Sequence, residues 1–309
     1  NPTPCPWSDD KHEVDKAAPE SELSPVFAEP QRAKASIQAT WTFHIMDNGG
    51  ASGSNDLMAI SMGPTDSGKV ELRIHTGITS YALARKVVTG LTYQPSEWAF
   101  EVLSNSDILA INMGPTTNSG MTEVHILTAK SDYKKFALHT ATALNLPDKR
   151  RGEWAFGLLK NNDLVAIRKG PSQTGRTELK ILSSKDSYRT LVGQAVTALG
   201  STDLSHGLWS FQVMKWRSND LMAIKVGTGA EAGRVELRIL TSKSNYGEFS
   251  SKLSEDSPVL LPLRGGGTGE FYFHVLPNGN LMSIRRESGK FTQQILTSQS
   301  NYGDFLKSK

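Results

Sequence analysis

Cysteine is almost absent from this 309-residue chain: the single thiol, Cys5, can form no intramolecular disulfide, which excludes a disulfide-stapled scaffold and leaves the redox compartment open. Long apolar runs are missing too. None approaches the roughly 18 residues that suggest a membrane span, and no amphipathic basic segment suggests an anchor, so a soluble chain without membrane partners is expected. Charge of one sign is also lacking, because 34 Lys and Arg stand among 31 Asp and Glu for a net +3. They are scattered instead of gathered in a stripe, which argues against a nucleic-acid partner.

Catalytic signatures are equally scarce. The seven histidines, His12, His44, His75, His125, His139, His206 and His274, show no HxH or HExxH spacing, so no metal site is expected. There is no GxSxG elbow, no phosphate-binding glycine loop and no GxGxxG after a strand. "RGGGTG" at 264–269 has no helix behind it to aim its amides, and no cofactor is expected.

What the chain does have is repetition. "SNDLMAIKVG" from Ser218 recurs as "SNDLMAISMG" from Ser54, "SNSDILAINMG" from Ser104, "NNDLVAIRKG" from Asn161 and "NGNLMSIRRE" from Asn278. Aligned on the aromatic that opens each unit, Trp41, Trp98, Trp154, Trp209 and Phe271 are spaced by 57, 56, 55 and 62 residues. The last gap is longer because "EDSPVLLPLRGGGTG" has grown before Phe271. Each unit reads "WAFEVL", a turn, "DILAIN", a Gly/Pro/Thr/Ser loop, "TEVHIL" and then "SDYKKFALHTATAL", the pattern of four short strands.

Leu57 and Ala59 would point to one face of such a sheet and Met58 and Ile60 to the other, so each sheet must be covered on both sides. A solenoid would leave two bare ends. Radial closure leaves none, and four-stranded blades are its unit. The sequence therefore predicts an all-β, five-bladed β-propeller of four-stranded antiparallel blades. The fifth unit stops at "SNYGDFLKSK", and an N-terminal strand, with "RAKASIQAT" the alternating candidate, is expected to complete that blade. Residues 1–23 read as a Pro-rich tail, with six prolines in the first 30 positions, and residues 24–309 as the propeller. Asn1 in place of Met suggests a removed signal peptide or other trimming, hence a secreted protein.

Three residue classes recur once per unit, and periodicity by itself reports architecture. Tyr81, Tyr133, Tyr188, Tyr246 and Tyr302 are expected to pack with the hydroxyl on backbone, the sharper alternative being a fivefold glycan site. Glu71, Glu123, Glu178 and Glu236 are expected in surface ion pairs with the Arg73, Lys180 and Arg238 class. Asp56, Asp107, Asp163 and Asp220, with Asn280 in the last copy, are expected to cap turns.

The pattern in 98–144, "W-x-F…NDLMAI…G-x-TEVHIL…S-x-Y-x-x-F…T-x-TAL", resembles a repeat of secreted fungal and actinobacterial proteins often appended to hydrolases. The blade count and the opening aromatics are similar to those of tachylectin-type propeller lectins. Chain length, Asn1 and the missing catalytic signatures also resemble small secreted fungal hetero-Diels-Alderases of tropolone-sesquiterpenoid pathways. That resemblance implies a cofactor-free joining of a tropolone quinone methide to a humulene-type alkene.

The copies differ most in the loops leading into the innermost strand and in the residue after each "AI" or "SI": Ser61, Asn112, Arg168, Lys225 and Arg285. One asymmetric ligand, a small organic molecule or a glycan, is therefore expected in one axial pocket. Tyr93, Trp98, Trp154, Arg168, Trp209, Lys225 and Phe271 are its candidate binding residues, and Arg150 belongs to the same loops. His206, Tyr272, Arg264 and Arg285 are the candidate donors for activating a carbonyl. Trp216, an insertion peculiar to the fourth unit, is read as either an exposed contact or a local plug. Lectin activity, with several equivalent sugar sites, is the alternative.

Overall fold

The computed structural model describes residues 21–22, 41–46, 56–61, 63, 65–76, 82–92, 98–114, 121–145, 154–169, 172–200, 209–216, 218–227, 234–250, 259–263, 270–287 and 290–306. The first element among the described residues is β1 (Ser21–Glu22). Blade 1 is β2 (Trp41–Met46), β3 (Asp56–Ser61), β4 (Lys69–Thr76) and β5 (Ala82–Thr92); blade 2 is β6 (Trp98–Val102), β7 (Ile108–Asn112), β8 (Glu123–Leu127) and β9 (Phe136–Ala141). Blade 3 is β10 (Trp154–Leu158), β11 (Leu164–Arg168), β12 (Arg176–Leu182) and β13 (Leu191–Gly200); blade 4 is β14 (Trp209–Val213), β15 (Leu221–Val226), β16 (Val235–Leu240) and β17 (Val259–Leu261). Blade 5 is β18 (Glu270–Val275), β19 (Leu281–Glu287) and β20 (Lys290–Leu296), with β1 as its outer strand.

The result is five four-stranded antiparallel sheets in a ring, as the repeats dictate. The last blade is completed from the N-terminus, through Ser21↔Gln293 and Glu22↔Thr292. That strand lies ahead of residue 24, inside the stretch read as tail, while "RAKASIQAT" at 32–40 falls outside the described residues.

Alternation along each strand sorts its side chains between two blade boundaries. Met58 and Ile60 pack with Leu72 and Ile74 against Trp98, Phe100 and Val102 of blade 2. Leu57 and Ala59 of the same strand pack against Met282, Ile284 and Phe291 of blade 5. Equivalent layers fill the other three boundaries, so the ring is closed by apolar packing at every seam. Both faces of a strand such as Ile108–Asn112 are consequently buried, which explains its near-continuous apolar sequence.

The recurring polar residues hold the blades together. Tyr133, Tyr188, Tyr246 and Tyr302 all have positive φ, from 60° to 67°, a conformation that costs an L-residue on the order of 1–2 kcal/mol. Each is held there by its hydroxyl, which donates to the carbonyl of Ser106, Asn162, Asn219 or Gly279 at 3.0–3.2 Å. The carbonyls of Tyr133, Tyr188 and Tyr246 accept from the preceding blade, from Gly90 N at 2.9 Å, Ala143 N at 3.2 Å and Ala198 N at 3.1 Å. A Cβ at Gly90 would lie 2.4 Å from the Lys134 carbonyl oxygen, so only glycine permits that approach. Tyr81 lies outside the described residues.

The turn aspartates do more than cap their own turns. Asp107, Asp163 and Asp220 accept from the backbone N–H of Ala129, Ser184 and Ser242 at 2.7–2.8 Å, and Asn280 accepts from Ser298 N at 3.0 Å. Each thereby pins the short 3-10 segment that follows the third strand. The glutamates depart from expectation in one respect, since Glu71, Glu123 and Glu236 are buried. Cross-strand register puts Lys86 at 3.1 Å from Glu71, and His139 at 3.2 Å from Glu123. Glu236 has Arg234 at 3.0 Å and Arg238 at 3.6 Å. Arg73 and Arg238 lie over Trp41 and Trp209, at 4.6 and 5.3 Å from the ring centroids.

Candidate functional site

Each innermost strand is written W-x-F-x-V or a close variant. The aromatic positions enter the layers between blades, as do first-x residues such as Ala99, Ala155 and Tyr272, which leaves the second x position nearest the axis. The second x position carries His44, Glu101, Gly157, Gln212 and His274, and these five line one axial cavity of about 50 Å³ at the C-terminal end of the inner strands. Lys215 and Trp216, from the turn after β14, also line it. The Trp216 insertion thus lies over the channel, and the Lys215 ammonium reaches from blade 4 to the Val102 carbonyl of blade 2 at 3.4 Å. It sits 4.8 Å from the Trp216 ring centroid, so cation and aromatic cover the cavity as a pair.

The cavity is polar, and apart from the Lys215 ammonium its titratable groups, His44, Glu101 and His274, are held towards their neutral forms. Burial pushes the Glu101 carboxyl up to about 8, against the pull of Lys215. At neutral pH it is therefore largely protonated, able to donate and accept at once. Burial pushes His274 down to about 3. Burial first, then His274 and Lys215, hold His44 well below the imidazole range. The His44 Nε2 lies 3.3 Å from Thr42 Oγ1, whereas His274 Nε2 is buried without a hydrogen-bond partner. Such an atom is a standing offer to a ligand or water. Gly157 leaves the ring one side chain short, because a Cβ there would lie 2.7 Å from Val213 Cγ2.

Of the residues expected at the site from sequence, those that are described lie away from this cavity. Trp98 and Trp209 are buried between blades, and Trp154 and Phe271 pack in the corresponding layers. Alternation puts them on the same face as Phe100 and Phe211, which is the interblade face. Arg168, Lys225 and Arg285 pair across the strand with Trp154, Trp209 and Phe271, at the opposite end of the inner strands from the cavity. Arg285 is 2.7 Å from Glu287. Tyr272 stands at the first x position, donates to Glu270 at 2.8 Å and meets Phe43 edge-on at 5.0 Å; burial and that carboxylate push its phenol well up. Tyr93, Arg150, His206 and Arg264 lie outside the described residues.

No protein-family model matches the chain, and no curated protein matches it. Solved structures do. Its fold is similar to that of GH43 propellers. A GH43 β-1,3-galactosidase superposes with a TM-score of 0.52 at 10% identity, over 93% of this chain and 62% of that one. An exo-β-1,3-galactanase from Phanerochaete chrysosporium, solved with β-1,3-galactotriose, gives 0.51 at 10% identity, over 91% of this chain and 65% of that one. This chain thus spans less than two thirds of either protein, and at that identity the likeness is one of fold.

Among the described residues, Glu101 is the one carboxylate lining the cavity, whereas glycoside hydrolysis ordinarily needs two. Although no metal site is expected from spacing, the fold gathers Glu123, His125 and His139 on blade 2 with their donor atoms within 4.8 Å of one another. The axial residues lie inside regular strands, where a variable position is less conspicuous in the sequence than a variable loop. Their signal was the x of W-x-F-x-V, where the five copies disagree most inside a regular strand.

Proposed function

We propose that this protein is a carbohydrate-binding propeller that engages one glycan per chain at the C-terminal end of its inner strands. The observation that carries this reading is the asymmetric polar ring of His44, Glu101, Gln212 and His274 beneath Trp216. Neutral donors and acceptors beside an aromatic face suit a sugar, whose hydroxyls need hydrogen bonds and whose C–H face packs on rings. A cavity of about 50 Å³ has room for roughly three or four waters. It admits one hydroxymethyl-sized substituent while the rest of the ligand lies outside against Trp216. Sugars are also what the similar galactanase was solved with.

A site per blade is not supported, since the repeated tyrosines and aspartates spend their polar atoms on the scaffold. Nothing favours the hetero-Diels-Alder reading either: it requires an apolar, aromatic axial pocket, whereas this cavity, although Phe156 and Phe211 contribute to its wall, is ringed by His44, Glu101, Gln212 and His274. Nor is hydrolysis supported by a single protonated carboxyl. Glycan-array screening followed by calorimetry tests the proposal. One site per chain is expected, weakened at least tenfold in W216A and Q212A, with no release of reducing sugar. Absence of any glycan ligand, or binding indifferent to both substitutions, would overturn it.

A further inference from the structure

Blade 2 carries a side-chain cluster that its sister blades replace with cations. On the third strand of blades 1, 3 and 4 the pattern is Glu-x-Arg or Glu-x-Lys, namely Glu71 with Arg73, Glu178 with Lys180 and Glu236 with Arg238. Opposite Arg73 stands Lys86, which pairs with Glu71 at 3.1 Å. In blade 2 the same places hold Glu123, His125 and, across the strand from His125, His139. Two imidazoles and a carboxylate thus meet where blades 1 and 4 put Lys or Arg beside the glutamate.

We propose that Glu123, His125 and His139 form a binding site for a divalent transition metal of the zinc class. Two imidazole nitrogens and one carboxylate oxygen are borderline donors that suit zinc, copper or nickel over calcium or magnesium. The three donor atoms lie within 4.8 Å of one another. Metal–ligand bonds of about 2.0–2.2 Å require them to draw in by roughly an ångström. His139 can make that movement, because its side chain is 52% exposed while that of Glu123 is 8% exposed. Its ring lies stacked on His125 at 4.0 Å and 18°, and a rotation would aim both nitrogens at a common point. The exposed side of His139 gives the ion a path in and leaves a coordination position for water.

A metal here has the same electrostatic logic as the lysine it replaces. Glu123 is a buried carboxylate, 6% exposed as a whole residue, and a bound dication would put positive charge beside it. The carboxylate in turn raises affinity for the ion over that of two histidines alone.

Zinc titration into the full chain by calorimetry, with Cu2+ quenching of tryptophan fluorescence as an independent readout, tests the site. Trp98 reports on it because its ring lies edge-on to His125 at 5.2 Å. One saturable zinc site per chain is expected, together with quenching by Cu2+ that zinc competes away. H139A should weaken binding by at least the roughly 10–100-fold that loss of even an outer-shell partner costs, and should remove the zinc-sensitive part of the quenching. Since His139 is exposed, its far-UV spectrum in EDTA should match that of the parent, and H139Q provides a second variant of similar bulk. Equal zinc affinity in both variants and the parent, or no saturable binding to the parent at millimolar zinc, would overturn the proposal.

Discussion

His44 and His274 face one another across the seam between the first and last blades, their ring centroids 6.0 Å apart. Neither is held by an opposite charge; both are neutral because burial disfavours the charged imidazolium. The seam that closes the ring therefore carries two bases that resist protonation, while Glu101 across the cavity resists ionisation.

Those shifts set a pH profile for stability. Below 6.5 the unfolded chain protonates His44 and His274 while the folded one does not, down to about 3 for His274, so stability falls as pH falls from 6.5. For Glu101 the folded pKa is raised from 4.5 to about 8, so its contribution is complete below 4.5 and is lost as pH rises through 8. Between 4.5 and 6.5 two imidazoles outweigh one carboxyl. Urea unfolding across pH 4–9 should show a maximum near 6.5, and E101Q should flatten the alkaline limb and steepen the acid limb between 4.5 and 6.5. An alkaline limb unchanged in E101Q would contradict this account.

Gly157 is set by its neighbour. With Val213 Cγ2 only 2.7 Å from where a Cβ would stand, G157A should cost about 1–3 kcal/mol through overpacking. V213A should relieve part of that in the double variant, so the two costs should not add. Strict additivity in denaturant midpoints would show the contact to be unimportant.

The blade tyrosines allow a conservative test. Y188F removes one hydroxyl, which donates to the Asn162 carbonyl at 3.2 Å, and should cost about 0.5–1.5 kcal/mol. Y188A also empties a buried aromatic site, and about 3–5 kcal/mol is expected by analogy with other large core truncations. Thermal unfolding of both would check the ordering.

Asp163 and Asn280 do one job with different charge. Asp163 accepts from Ser184 N at 2.7 Å, Ser184 Oγ at 2.9 Å and Asn161 Nδ2 at 2.7 Å; Asn280 accepts from Ser298 N at 3.0 Å and Ser298 Oγ at 3.3 Å. D163N should therefore keep most of the stability, and D163A should lose about 2–3 kcal/mol by stranding buried donors. A D163N loss as large as that of D163A would show that charge, not acceptor geometry, is what counts.

Local pattern made the frame legible. Leu57 and Met58 must part to opposite faces because side chains alternate along a strand, and two apolar faces force each sheet between neighbours. Repeated five times, that constraint leads to the closed ring, including completion of the last blade from the N-terminus. The bonding of Tyr133 and Tyr188 to backbone also follows from periodicity, since five copies of one group report a shared structural task.

The site was harder to read because it depends on contacts between units. Trp98 and Glu101 belong to one five-residue strand, yet one is buried between blades and the other lines the axis. Alternation separates them, but which face meets the axis is set by how neighbouring blades turn about it. His125 and His139 show the same limit, being distant in sequence and brought opposite by the register of β8 and β9. Sequence alone determined the strands, their number and their two buried faces, because those follow from side-chain period and solubility. Tertiary structure decided which polar residues share a cavity or a strand edge, because that proximity is created by ring closure and cross-strand register.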